Sequence, residues 1–116
     1  MPKGSEALAS ARREEIVSAC AALYETMPFR EITLKEIGQK TSFTRTSIYN
    51  YFQTREEIFL ALLQREYEAW TADLEALQSR TPADAAFADA LAATLERRVC
   101  MLKLMAMNLY DIEANS

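Results

Sequence analysis

Apolar residues recur at spacings of three and four along most of the chain, and this periodicity constrains the fold more than any other feature of the sequence. Ile16, Cys20, Leu23 and Met27 form one such stripe. No stretch shows the sustained alternation of apolar and polar residues that is typical of a half-buried strand. Glycine occurs twice and proline three times, which also suits a helical protein. We therefore predict an all-α fold.

Capping residues and prolines divide the sequence into separate helices. Thr33 with Glu36, and Thr54 with Glu57, have the spacing of a capping box at a helix start. The predicted helices cover about 10–27, 33–41 and 44–52, followed by a long fourth helix from Thr54, a fifth after a break at 79–82, and a sixth beyond a boundary near Arg97–Arg98. The segment 99–110 is apolar nearly all round, which predicts burial on most of its sides.

The sequence TRTSIYNYFQTREE, at positions 44–57, places a short helix directly after a tight turn. On a helical wheel Ile48 and Phe52 lie about 40° apart and define an apolar side. Asn50, Thr46 and Ser47 lie on the opposite side, where small hydrogen-bonding side chains can meet base edges in a DNA major groove. Two short helices joined by such a turn form a helix-turn-helix arrangement. The stretch therefore predicts a helix that reads DNA.

Three further residues of this helix are candidates for phosphate contacts. Tyr49 and Tyr51 lie about 100° to either side of Asn50, from where a phenol hydroxyl can reach each wall of the groove. The wheel places Arg45 nearer the apolar side, so it would act from the helix end, on phosphate rather than on a base. Taken singly, the two tyrosines are more often core residues.

The starts of the neighbouring helices offer a second kind of phosphate site. Thr33 and Thr54 each begin a helix whose free N–H groups and positive dipole end favour an anion. Arg55 follows Thr54 directly and can neutralise a phosphate there. Taken singly, Thr33, Thr44 and Thr54 are more often plain structural caps.

The charge distribution permits a nucleic-acid partner although the chain is acidic overall. Residues 1–55 carry eight Lys/Arg against six Asp/Glu, a net of +2, and residues 56–116 carry five against eleven, a net of −6, which together give the formal charge of −4. The chain contains no histidine, no glycine-rich phosphate loop and only two, separated cysteines, so we expect no enzyme, no metal site and no cofactor. We also expect no membrane span, and a cytoplasmic location with reduced cysteines.

The segments TLKEI (33–37), IYNYF (48–52) and REEI (55–58) resemble, in order and spacing, the motifs of the tetracycline-repressor (TetR) family of bacterial regulators. The resemblance covers about 10–65. It implies a three-helix DNA-binding head over 1–53, and over 54–116 a long connecting fourth helix with part of a helical sensor and dimerisation body.

The resemblance also implies a function and a set of contacts. It implies a transcriptional repressor that binds a near-palindromic double-stranded operator as a homodimer and is released by a small-molecule inducer. By matching positions it implies the following DNA contacts: Thr33, Thr44, Arg45, Thr46, Ser47, Tyr49, Asn50, Tyr51 and Arg55. The alternative that the residues leave open is a helical protein–protein interaction module without DNA binding.

The sequence departs from the family pattern in the turn, in the recognition helix and in its length. Ser42 stands where glycine is common in the turn, and a positive φ at a serine would cost about 1 kcal/mol. Thr46 replaces a small residue such as glycine. Family members run considerably longer, so we expect this chain to contain the head and the first two body helices.

The second half offers candidates for a ligand pocket, because methionine and aromatic side chains adapt to varied apolar shapes. These candidates are Trp70, Phe87, Met101, Met105 and Tyr110. Their helical spacing is equally that of an ordinary core, which is the commoner outcome.

Overall fold

The computed structural model describes residues 2–42, 45–78 and 85–115, and every regular element within these ranges is helical. The α-helices are α1 (Pro2–Tyr24), α2 (Leu34–Gln39), α3 (Arg45–Ile48), α4 (Arg55–Gln78), α5 (Ala85–Glu96), α6 (Val99–Lys103) and α7 (Leu109–Asn115). A 3₁₀ turn, Phe29–Glu31, lies between α1 and α2, and a π-helical segment, Leu104–Asn108, joins α6 to α7. The all-α prediction is confirmed.

The first helix is displaced towards the amino terminus relative to its prediction. It begins at Pro2 instead of near residue 10, because proline is tolerated in a first helical turn and the residues that follow are mostly good helix formers. It ends at Tyr24, and the N–H of Met27 donates to the carbonyl of Leu23 at 2.8 Å in the turn that follows. Pro28 is extended, with φ −70° and ψ 153°, so the chain changes direction there.

The recognition helix is shorter than the predicted 44–52. After α3 the backbone tightens into 3₁₀-type turns, in which the N–H groups of Tyr49, Asn50 and Tyr51 donate three residues back at 3.2, 3.1 and 2.8 Å. Such tightening is common at a helix end, where it satisfies carbonyls that have no intrahelical partner. The N–H of Phe52 bonds to Ile48 O at 3.0 Å and closes the segment.

The first of two compact units comprises the residues up to Leu62 together with those from Tyr110 onward. Its core contains apolar side chains from α1, the 3₁₀ turn, α2, α3 and the start of α4. Phe59 lies at the centre of an aromatic cluster, with its ring centroid 5.5 Å from that of Tyr24 and 4.5 Å from that of Phe29. Gly38 is buried in the middle of α2, where α2 meets α1 and α3, so the absence of a side chain there permits close packing.

The second unit comprises residues 63–109. Thr94 is buried in it, accepts a hydrogen bond from Trp70 Nε1 at 3.1 Å and donates to Leu91 O at 2.7 Å. Arg98 forms an ion pair with Asp73 at 3.1 Å and a longer one with Glu66 at 3.9 Å. The predicted helix boundary near Arg97–Arg98 is confirmed, because the backbone of Arg98 leaves the helical region there.

The prediction that the segment 99–110 is buried on most sides is wrong. Met101 and Leu104, three residues apart, are buried, whereas Val99 is 65% exposed and Met107 is 70% exposed. Apolar composition alone does not fix how many neighbours surround a helix, and here a single buried stripe provides the packing. Within the described residues, no helix is both long enough and apolar enough to cross a membrane.

Candidate nucleic-acid interface

The short helix α3 and the turn after it present a polar face outward and an apolar face inward. Ile48 is 0% exposed and Phe52 is 3% exposed, so the apolar side lies in the core as the wheel predicted. Thr46 and Asn50 are exposed and Ser47 is half-buried. Thr46 and Asn50 therefore present small hydrogen-bonding groups at the surface of this part of the chain.

The two tyrosines of the segment differ in their exposure. Tyr49 is 41% exposed, and Tyr51 is half-buried. The side-chain amide of Gln53 donates to the backbone carbonyl of Tyr49 at 3.2 Å, which supports the turn beyond α3. Thr44 lies outside the described residues. The backbone of Arg45 begins α3, and its side chain is not among those described.

Glu15, on α1, holds the chain just before the recognition helix. Its carboxylate accepts the backbone N–H of Ser42 at 2.7 Å and the hydroxyl of the same serine at 3.2 Å. No non-glycine residue in the described parts of the chain has a positive φ, so Ser42 carries none of the strain considered for the glycine position of the turn.

Arg13, also on α1, contacts the chain just after the recognition helix. Its guanidinium donates to the carbonyl of Tyr51 at 3.1 Å and lies 4.6 Å from the centroid of the Phe52 ring. Sequence patterns did not identify Arg13 or Glu15, because their partners lie 38 and 27 residues away along the chain. The one sequence signal for a role of Arg13 and Glu15 was their position next to the buried apolar stripe of α1.

Thr33 and Thr54 cap helices, as predicted. Thr33 Oγ1 accepts the N–H of Glu36 at 3.2 Å at the start of α2, and Thr54 Oγ1 accepts the N–H of Glu57 at 3.2 Å at the start of α4. The Glu57 carboxylate accepts the N–H of Gln53 at 2.9 Å, one residue before the cap. These hydroxyls therefore have a structural role, and any phosphate contact by them would be additional.

Arg55 points into the protein, which the sequence did not indicate. Its Nη1 donates to the carbonyls of Phe29 at 2.5 Å and Ile32 at 3.0 Å, and its guanidinium lies 4.3 Å from the centroid of the Phe29 ring. Its Nε pairs with the carboxylate of Glu56 at 3.1 Å, and 24% of the side chain remains exposed. Arg55 thus ties the 3₁₀ turn to the start of α4.

A cavity of about 420 Å³ opens beside these groups and is lined by Thr33, Leu34, Lys35 and Arg55. The structure brings together Thr33 and Arg55, both predicted phosphate contacts from different helices. Lys35, which is exposed, adds a cationic side chain that sequence analysis did not select.

The predicted ligand-site residues have varied surroundings, and their binding role remains a prediction. Met101 is buried, Trp70 and Phe87 are half-buried, Met105 is 45% exposed and Tyr110 is 82% exposed. A separate cavity of about 210 Å³ in the second unit is lined by Asp73, Ala76, Leu77, Ala90, Ala93, Thr94 and Arg97. The described residues contain no cluster of three or more His, Cys, Asp or Glu side chains that could hold a metal ion.

Comparisons with known proteins found a matching family model and related regulators. Residues 16–62 match the family model of bacterial regulatory proteins of the tetR family. The chain is also 26% identical over 69 residues to the HTH-type transcriptional regulators RutR of Escherichia coli K12 and of Shigella flexneri. These matches cover 60% of this chain and 32% of each relative, so the chain matches about a third of their length. No solved structure matches significantly. Through residues 16–62, which contain the recognition helix described above, the chain is similar to the bacterial regulatory proteins of the tetR family.

Proposed function

We propose that this chain is a sequence-specific DNA-binding transcriptional regulator that inserts α3 into the major groove of double-stranded DNA. The observation that carries the proposal is the orientation of α3 and its turn. Ile48 and Phe52 are in the core while Thr46 and Asn50 are exposed. An outward-facing helix with short amide and hydroxyl side chains suits direct readout of base edges.

Within this proposal the residues divide into readers and anchors. Thr46, Ser47 and Asn50 read bases, and Asn50 is suited to adenine because its amide can donate and accept in one plane. The remaining candidates contact phosphates and so position the protein without reading sequence: Thr33, Thr44, Arg45, Tyr49, Tyr51 and Arg55. Arg55 also forms internal hydrogen bonds, to the carbonyls of Phe29 and Ile32. We therefore propose that its larger contribution to phosphate binding is to orient the groups that line the cavity beside α2.

The finer features of regulation are also proposals. We propose a repressor that acts in the cytoplasm as a homodimer on a near-palindromic operator and is relieved by a small molecule. The match of residues 16–62 to the tetR family model supports these features, and the excess of basic residues in positions 1–55 suits the half that would face DNA. The similarity to transcriptional regulators supports a role in transcriptional regulation in general terms.

The salt dependence of duplex binding tests the proposal. Duplexes selected from a random pool are titrated with the chain across a series of salt concentrations. We expect affinity to fall steeply as salt rises, with a slope of about −0.9 for each neutralised phosphate in a plot of log K against log salt. An absence of salt-dependent duplex binding would contradict DNA recognition.

One structural observation favours the alternative of a protein–protein interaction module. Val99, Leu102, Met105 and Met107 are large apolar side chains that are exposed in the second unit. Exposed apolar groups of this kind mark protein interaction surfaces when they form a continuous patch. If the salt series shows no duplex binding while the chain self-associates or binds a protein, this alternative replaces the proposed function.

A further inference from the structure

We infer that Arg13 and Glu15 are positioning residues that fix the orientation of the recognition segment, defined as Ser42 together with the described residues 45–52, for DNA reading. Neither side chain is assigned a contact with DNA. Each binds one end of the recognition segment from α1, Glu15 at Ser42 and Arg13 at Tyr51. This inference rests on the proposed function and adds to it the device that sets the angle of α3.

The recognition segment requires external support because α3 itself spans only Arg45–Ile48. A helix of about one turn does not persist in water without tertiary contacts. Ile48 and Phe52 attach the segment to the core along its apolar side. Attachment along one side alone leaves the segment free to tilt about that side, so the polar face needs further contacts to hold a defined direction.

The geometry of α1 explains why these two residues can hold both ends. With about 100° between successive helical residues, Ile16 lies about 60° from Arg13 on one side and about 100° from Glu15 on the other. Ile16 is fully buried and marks the face of α1 that packs in the core. Arg13 and Glu15 therefore flank the packed face, and their long side chains reach Tyr51 and Ser42 respectively.

Both attachments have the chemistry of strong hydrogen bonds. The Glu15 carboxylate accepts two donors from Ser42, at 2.7 and 3.2 Å, and charge on the acceptor strengthens such bonds. The Arg13 guanidinium combines a 3.1 Å bond to the Tyr51 carbonyl with its position over the Phe52 ring, 4.6 Å from the centroid. Base-reading side chains lose their partners when such supporting contacts are missing, because readout needs placement within about 0.5 Å.

The sign of the effect of Glu15→Ala distinguishes positioning from simple electrostatics. Removing an acidic side chain makes the net charge of the first unit less negative and, by charge alone, strengthens binding to DNA. Positioning predicts the opposite for the selected operator, a loss of about tenfold, which corresponds to about 1.4 kcal/mol. Binding to an unrelated duplex should not weaken, because backbone attraction does not depend on the direction of α3.

Arg13→Gln is the second variant, and matched controls remove equal charges elsewhere. We expect it to reduce the ratio of operator affinity to unrelated-duplex affinity by about tenfold. Glu25→Ala and Arg30→Gln, at exposed positions in the same unit, should leave that ratio unchanged. All affinities are measured with the whole chain across the same salt series, and thermal unfolding verifies that each variant is folded. Glu15→Gln replaces Glu15→Ala if the alanine variant unfolds.

Several results would overturn the inference. Operator affinity that is unchanged or higher in a folded Glu15 variant excludes positioning by Glu15. Equal losses on both duplexes for Arg13→Gln, with a flatter salt slope than Arg30→Gln, make Arg13 a phosphate contact instead. If both Glu15 variants unfold, hydrogen exchange of the Ser42 amide is measured in the unsubstituted chain. Protection of this amide supports its hydrogen bond to Glu15, and exchange at the unprotected rate contradicts that bond. No duplex binding by the unsubstituted chain overturns the proposed function itself, which is a separate outcome.

Discussion

Arg55→Ala is expected to lower the free energy of unfolding by about 3 kcal/mol, because it removes a charged donor from two backbone carbonyls and a cation from an aromatic face. The carbonyls of Phe29 and Ile32 would lose the partner that Nη1 provides at 2.5 and 3.0 Å. The exposed quarter of the side chain, and its pair with Glu56, add little because solvent screens such contacts. Urea denaturation followed by circular dichroism measures the change.

Two controls separate this role from the loss of a charge. Arg55→Lys keeps the charge but lacks the planar guanidinium, so it should recover only part of the lost stability. Arg30→Ala removes an arginine that is exposed on the 3₁₀ turn and should change stability by no more than about 0.5 kcal/mol. If Arg55→Ala proves as mild as Arg30→Ala, the inward contacts of Arg55 do not stabilise the unit.

Asn50→Ala is expected to relax sequence preference at one base pair by about 1–3 kcal/mol while leaving the stability of the chain nearly unchanged. Its side chain is exposed beyond the end of α3, so truncation removes little packing. Competition binding with every single-base-pair variant of the selected operator measures the effect at each position. The loss should appear at one position, because an amide side chain reaches one base edge.

Gln39→Ala provides a matched control for Asn50→Ala. Gln39 is an exposed amide at the end of α2 and is not among the proposed readers, so its truncation should leave the preference at every position unchanged. A uniform loss of affinity at all positions with Asn50→Ala would show that Asn50 does not read a base.

Local patterns in the sequence predicted the order of the helices and the face of the recognition helix. The spacing of Ile48 and Phe52 placed both in the core, and the spacing of Thr33 and Thr54 from their glutamates placed the caps. These features depend on residues a few positions apart, so the sequence carries them directly. Whether the exposed face contacts DNA stays a prediction.

Long-range partners were not predictable in the same way. Arg55 appeared as a free cation at a helix start, yet it donates to carbonyls 23 and 26 residues earlier in the chain. Such pairings follow from the tertiary packing of α4 against the 3₁₀ turn, which periodicity does not encode. The early end of α3 was also not predictable from local patterns. The residues that follow α3 are compatible with a helix, yet their backbone forms tight turns in which the Tyr51 carbonyl accepts a hydrogen bond from the distant Arg13.

An NMR titration of the isotope-labelled chain with the selected operator duplex shows directly whether the outward face of α3 meets DNA. If α3 reads the operator, we expect saturable changes in the amide signals of Thr46, Ser47 and Asn50 that are larger than those elsewhere in the chain. Changes concentrated at the exposed apolar residues Met105 and Met107, with the signals of α3 unaffected, would contradict it.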